Sequence, residues 1–521
     1  MIKYYIILFA YLLTNYSYAQ YKPEFFNLPS DKNYLSKITS PNPISNSIGD
    51  IITIGDTVWL GTSRGVCVSF DRGNSWTNFY DTPHFGTDAV SAIAYKNGVV
   101  WVATAISVEG VGGGSVDKGT GLKFTTDNGV NWTALPQPVD NDNDTEEIYG
   151  INVIPALPVT VAEQNLTYDI AFTPGTIWIT SFAGGLRKST DMGQTWMRVV
   201  IPPDNLSSIN PEDTLDFCLS PVGGNFCENG NLNHRAFSVI SINDSTLYVG
   251  TAGGINKSTD NGISWVKFNH QNQLEPISGN FITALGYNSF NSTVWAATWK
   301  AEEASEYYGV SSSTNGGQTW NVFLNEEKAH NFGFRENNVI STTDNGAFRT
   351  TNQGRAWILP SAVIDTVSDP TSNIYLHTNI YYCATFESND VWLGSNDGLA
   401  LLKETSLWRG VWKLYFAAQP LKSNRETYCY PNPFSPRQEQ LKIIYDTNDL
   451  PTNVTIRIFD FGMNYIRTII QNAVRQRNMN GPPEFWDGRD DNGNLLPNGV
   501  YFYRVDIGDE EPLFGKIIYM Q

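Results

Sequence analysis

The chain has 521 residues, enough for three or four domains, with 41% apolar, 13% aromatic and only 17% charged residues. That composition excludes disordered, collagen-like and low-complexity classes, and its aromatic content leans toward β structure. A net charge of −18, from 34 basic and 52 acidic residues, disfavours nucleic acid and anionic membrane surfaces as partners.

At the N-terminus, Lys3 precedes ten apolar residues (4–13), and Ser17-Tyr18-Ala19 gives a small-x-small site before Gln20. This pattern predicts a cleaved signal peptide over 1–19, followed by an N-terminal segment over 20–46. Ten apolar residues are too short for the roughly 30 Å of a bilayer core, and no later run reaches eighteen, so no membrane span is expected.

A repeat then organises the chain. SFDRGNSW (69–76), TTDNGVNW (125–132), STDMGQTW (189–196), STDNGISW (258–265), STNGGQTW (313–320) and TTNQGRAW (350–357) share the pattern [ST]-x-[DN]-x-G-x-x-W. Each reads as a β-turn, with Gly at positive φ and the Asp or Asn bonding its own backbone. The turn carboxylates and amides are Asp71, Asp127, Asp191, Asp260, Asn315 and Asn352. Strands of the VWLGT type precede each turn, as at 58–62, 100–105, 177–181, 247–251, 294–299 and 391–395, and one further alternating strand precedes each of these.

Seven units of four antiparallel strands follow, at about 47–80, 89–135, 148–202, 233–270, 277–325, 329–360 and 376–416. The sixth is short, and the seventh has KETSLW in place of the Asp turn. The expected fold is all-β: a seven-bladed β-propeller over 47–416, then a small Ig-like β-sandwich. Eleven of the 15 Trp residues fall at repeat positions, which assigns them to packing between blades rather than to ligand.

The turn motif resembles the Asp-box, or BNR, repeat of sialidases, some glucan hydrolases, sortilin-type receptors and many non-catalytic secreted propellers. VWLGTSRG and VWLGSNDG also resemble the sensor propellers of two-component regulators. The resemblance implies the fold and little about activity, because Asp-box residues stabilise turns.

Five cysteines are present, and Cys218 and Cys227, flanking LSPVGGNF, are the expected disulfide. Cys67 and Cys383 read as small buried hydrophobes. Residues 417–427 form a polar linker. Beyond it, 428–521 alternates as a β-sandwich. Tyr430-Pro431-Asn432-Pro433-Phe434, Trp486-Asp487-Gly488-Arg489-Asp490 and Asn498-Gly499-Val500-Tyr501-Phe502 stand in order. These pieces resemble the FlgD-like Ig domain and the C-terminal sorting domain of type IX secretion. The resemblance implies type IX machinery as a partner and a secreted or outer-membrane-surface location.

Tests for chemistry point away from an enzyme. Only nine Arg lie between residues 20 and 420, too few for the clustered Arg clamp of a sialidase once turn and outer-strand positions are removed. Asp-box glucan hydrolases resemble two propellers facing a cleft, and this chain offers one. Neither His nor Cys spacing suits a metal, there is no phosphate loop or nucleophile elbow, and no cofactor is expected. The acidic runs at 141–147 and at Asp487, Asp490, Asp491 and Asn492 read as solvated turns, with weak calcium binding the alternative for the first. The sequence therefore points to a secreted non-catalytic propeller that binds an unknown protein or glycan, with an extracellular glycoside hydrolase as the competing class. The long connections at 105–119, 134–148, 201–234, 299–309 and 360–376 all fall on one face. The 299–309 loop carries Trp299, Glu302, Glu303, Tyr307 and Tyr308, read as exposed aromatics beside carboxylates and hence as the ligand surface.

Overall fold

Alternating apolar strands joined by tight turns pair with their sequence neighbours, and in this computed structural model most of them do so. The structure describes residues 39–521 except 111, 369–370, 372, 418–420, 422, 438–439 and 479–480. The expected signal peptide and residues 20–38 of the N-terminal segment lie outside the described residues.

Between residues 39 and 415 two hairpin pairs, Glu146–Tyr149 with Asn152–Pro155 and Ile364–Asp365 with Ile374–Tyr375, stand beside seven antiparallel sheets of three to five strands. Their innermost strands are Ile48–Ile54, Ala89–Lys96, Asp169–Thr173, Ala236–Ser241, Phe281–Asn288, Ala329–Arg335 and Tyr381–Glu387. Each packs on the next, and the seventh packs on the first, so the sheets close into the ring of a β-propeller. No strand is exchanged between the first and seventh sheets among the described residues. Closure rests on side-chain packing and on bonds such as Thr53 to Thr385 (3.3 Å) and the Gly55 N–H donating to Glu387 (3.3 Å).

Uniform four-stranded units were expected, and three sheets differ. Thr39–Ser40 pairs with Trp76–Phe79 as a fifth strand of the first sheet, and Ser208–Ile209 does the same on the fourth. The sixth sheet has three strands, with Ile358 alone bridging Arg349 where a fourth would run. Pro360 follows two residues later and supplies no N–H to extend that ladder.

The Asp turns show why the motif repeats. In the first, the Asp71 carboxylate accepts the Ser69 hydroxyl (2.8 Å), the Ser75 N–H (2.8 Å) and the Ser75 hydroxyl (2.6 Å). The Ser69 hydroxyl oxygen in turn accepts the Gly73 N–H (2.7 Å). Asp127, Asp191 and Asp260 repeat this set, and Asn315 and Asn352 keep its amide version. At Asp191 the bonds from Thr195 and Ser189 pull the carboxyl down to about 2.

The turn glycine also sets the spacing between sheets. A Cβ on Gly73 would sit 2.7 Å from Trp392 of the seventh sheet, and one on Gly262 would sit 2.7 Å from Trp178 of the third. In the first four blades the turn thus clasps the second-strand aromatic of the preceding blade, and in the fifth and sixth the turn glycine meets Phe268 and Phe323 of that blade's fourth strand. In the first two the closing Trp meets the second-strand ring edge-on, as Trp76 does with Trp392 (6.3 Å) and Trp132 with Trp59 (6.0 Å).

Residues 428–521 form two further sheets. Tyr428–Tyr430, Leu441–Ile444 and Glu484–Trp486 face the four strands Tyr465–Arg475, Thr452–Phe459, Gly499–Ile507 and Leu513–Tyr519. Phe434, Ile456, Ile458, Trp486, Tyr503 and Tyr519 fill the space between them. This sandwich sits against the seventh blade: Phe485 packs on His377 (4.9 Å) and Phe416 (5.7 Å), and Lys442 pairs with Asp397. No helix among the described residues is long and apolar enough to cross a membrane.

Candidate functional site

The inner strands enclose an axial channel of about 920 Å³, lined by residues of all seven sheets. Near their N-terminal ends six of the seven inner strands depart from regular pairing, Asp169–Thr173 of the third blade being the regular one. Bulges fall between Ile48 and Asp50, Val90 and Ala92, Ala236 and Ser238, Ile282 and Ala284, Ala329 and Asn331, and Tyr381 and Cys383. A bulge re-aims one side chain out of the alternation. The residues so placed are Gly49, Ser91, Phe237, Thr283, His330 and Tyr382, and each lines the channel.

Three of these, Phe237, His330 and Tyr382, join a longer aromatic arc. Tyr168 packs on Phe237 (5.1 Å), Phe237 on Phe281 (4.6 Å), Phe281 on Trp299 (6.1 Å), Trp299 on His330 (5.8 Å) and His330 on Tyr382 (5.4 Å). The rings come from five consecutive blades, third to seventh, and all are half-buried. Blades one and two contribute Gly49 and Ser91 instead, leaving the arc open on that side.

Two carboxylates stand in the channel wall. Asp169 accepts the N–H groups of Ile170 (2.8 Å) and Val239 (2.9 Å) and the Ser238 hydroxyl (2.9 Å), which ties the third blade to the fourth. Among the described residues Asp50 accepts only the Ile51 N–H (2.8 Å), through Oδ1. Burial, with the Asp169 charge nearby, pushes the Asp50 carboxyl up to about 7. Burial raises Asp169 to about 6 against the pull of its three hydrogen bonds. Neither makes a salt bridge to Lys or Arg among the described residues.

A pH dependence follows. Between 3.8 and about 7 the folded chain keeps the Asp50 proton that the unfolded chain releases, so this group lowers stability as pH rises through that window. Asp50→Asn keeps an acceptor for Ile51 and removes the charge. It is expected to be more stable than the parent at pH 8 by about 1–2 kcal/mol, allowing for water in the channel, and by less at pH 5. Urea unfolding at the two pH values checks this; a pH-independent difference contradicts it.

The loop read as the ligand surface is differently built. Glu302 and Glu303 are exposed at its tip, but Trp299, Tyr307 and Tyr308 are half-buried. The Trp299 indole N–H donates to the Ala329 carbonyl (2.8 Å), and its ring meets Tyr308 (5.9 Å). Lys328 lies over Trp299 (5.6 Å) and Tyr308 (5.1 Å). The expectation of exposed aromatics is thus corrected. These rings wedge the loop against the sixth blade because the indole finds a backbone partner there. The loop itself is held by Glu306, a buried carboxylate that accepts the N–H groups of Asn280 (3.1 Å) and Ala301 (2.7 Å). Of the proposed surface, only Trp299 joins the arc.

Sequence reasoning missed Tyr168, Phe237, Phe281, His330, Tyr382, Asp50 and Asp169. Stacking the seven inner strands would have shown one position that varies from Gly to Phe inside an otherwise uniform apolar strand. Cys218 and Cys227 are bonded, with Cα atoms 5.7 Å apart, in the connection before the fourth blade; Cys67, Cys383 and Cys429 are free and buried. Asp487 pairs with Arg467 (2.8 Å) and Asp490 accepts the Asn494 N–H (2.8 Å). No group of three metal-ligating side chains exists among the described residues.

No family model matches the chain, and no curated protein matches it. Solved structures do. An ancestral GH74 enzyme is 13% identical with a TM-score of 0.50, over 93% of this chain and 63% of that one. PorZ, an essential bacterial surface component of the type IX secretion system of Porphyromonas gingivalis, is 12% identical with a TM-score of 0.32, over 90% of this chain and 65% of that one. The extracellular domain of BT4673, a one-component system of B. thetaiotaomicron, is 12% identical with a TM-score of 0.35, over 91% of this chain and 68% of that one. The chain therefore spans about two thirds of the length of these proteins, and at 13% identity the likeness to the GH74 enzyme is one of fold alone.

Proposed function

We propose that this chain is a secreted, non-catalytic binding propeller that holds a protein or glycan ligand at the mouth of its axial channel. The observation that carries this reading is the arc of half-buried rings around one open mouth. Such a rim offers stacking area at little entropic cost and surrounds a cavity in the range of ligand pockets. Screening the purified chain against glycan and peptide arrays is expected to give hits that Tyr382→Ala and Phe237→Ala weaken at least tenfold with folding intact. Hits untouched by either variant would move the site elsewhere.

Export through the terminal sandwich belongs to the same reading and is supported by the ordered YPNPF, WDGRD and NGVYFY motifs. Deleting 428–521 is expected to hold the protein in the periplasm; normal release would make the sandwich structural only.

A glycoside hydrolase is the second reading, favoured by one feature. Asp50 and Asp169 share a cavity and titrate above the ordinary carboxylate range, as a general acid does. Release of reducing sugar from a β-glucan, lost in Asp50→Asn, would support it over the binding role.

A further inference from the structure

We propose that the channel mouth takes an arginine or lysine side chain presented by a partner polypeptide, with its charge at Asp50 and its flanks on Phe237, His330 and Tyr382. This rests on the mouth being the binding site, and it names the chemistry of the guest.

Four observations lead there. First, Asp50 Oδ2 has no donor among the described residues, whereas both oxygens of Asp169 are occupied from the third and fourth blades. At the position equivalent to Ser238, the second blade carries Ala92, so Asp50 lacks the hydroxyl that satisfies Asp169. A half-buried carboxylate with an open oxygen is stabilised by a guest that brings both a donor and a positive charge.

Second, Phe237, His330 and Tyr382 line the same channel as this carboxylate, and aromatic rings attract cations. The chain shows the preference itself at two points along the arc. Arg235 lies over Phe182 (5.2 Å), which packs on Phe237, and Lys328 lies over Trp299 and Tyr308. The inner rings Phe237, His330 and Tyr382 have no such cation among the described residues.

Third, the arc is incomplete where Gly49 and Ser91 stand, beside Asp50. Small residues there leave room for the backbone that carries the inserted side chain. The cavity of about 920 Å³ exceeds one side chain, so flanking residues of the partner fit as well. Fourth, the charge of −18 draws basic surfaces toward the molecule and repels acidic ones. The other charged groups of the channel do not cancel Asp50: His330 already donates to or accepts from Asp344 (2.8 Å), and Lys96 stands at the far end of its strand.

The test uses the full chain and two blocked pentapeptides, Gly-Gly-Arg-Gly-Gly and the same peptide with citrulline, which keeps shape and loses charge. Calorimetric titration at low salt is expected to give about tenfold tighter binding of the arginine form. Asp50→Asn is expected to remove that advantage, and Tyr382→Ala to weaken the arginine form. Equal affinity for the two peptides, or binding of neither, overturns the cationic guest. If a glycan found by array binding is lost in Tyr382→Ala but indifferent to Asp50→Asn, the site stands and the guest assigned here is wrong. Spermidine binding without peptide binding would assign the mouth to a small amine and equally overturn the peptide. Arginine-peptide binding unchanged in Tyr382→Ala and in Asp50→Asn would refute the site as well.

Discussion

Trp392→Ala is expected to destabilise the propeller by about 3–5 kcal/mol, the range for emptying a large aromatic site in a core. Trp392 is 1% exposed, stacks on Tyr415 (6.0 Å) and receives the edge of Trp76 (6.3 Å) from the first sheet. It therefore fills the junction where the ring closes, and that junction contains no shared strand among the described residues. The surroundings cannot collapse into the hole, because Gly73 already approaches at the limit and its turn is fixed by Asp71. Gly73→Ala tests the same contact from the other side: φ is +79°, and the new Cβ would lie 2.5 Å from the Tyr415 hydroxyl. Urea unfolding followed by tryptophan fluorescence measures both. A loss under about 1 kcal/mol for Trp392→Ala would mean that closure rests elsewhere.

Lys442→Ala is the second large effect, at about 3–5 kcal/mol, and it acts between domains. The Lys442 side chain is 2% exposed and pairs with Asp397 in the turn before the third strand of the seventh blade. It also lies over Tyr430 (5.7 Å) and Phe485 (5.9 Å). Removing the ammonium leaves a carboxylate buried at the interface without its counter-charge, and that uncompensated charge is the main cost. The double variant Lys442→Met with Asp397→Leu removes both charges and is expected to recover most of the loss. Calorimetry is expected to resolve the single variant into two transitions where the parent shows one. A double variant no better than Lys442→Ala would place the cost in packing rather than in the stranded charge.

How far the sequence carried depends on the range of each interaction. The Asp turns were legible because every bond in them spans two to four residues, as from Ser69 to Asp71, Gly73 and Ser75. The Cys218–Cys227 pair was legible for the same reason, being nine residues apart. Strand alternation and the spacing of the Trp residues gave the all-β class and the ring of repeated sheets.

The site was not legible in that way. The loop at Trp299 to Tyr308 stood out by composition, yet Trp299 is held by a carbonyl thirty residues away. That partner depends on how the fifth blade meets the sixth. Asp50 and Asp169 are 119 positions apart and share a field only because the ring brings the first and third blades to one axis. Lys442 and Asp397 belong to different domains, and neither marks itself in its own segment.

The sequence by itself determined the local chemistry: turn, strand, disulfide, and the rule that each blade repeats the last. Only the tertiary structure decided which side chains converge. Convergence on the channel depends on a one-residue bulge in the inner strands, and a bulge reverses the alternation from which sidedness is read. The residue that lines the mouth therefore carries no periodic signal, and its neighbours around the arc come from blades that meet only when the ring closes.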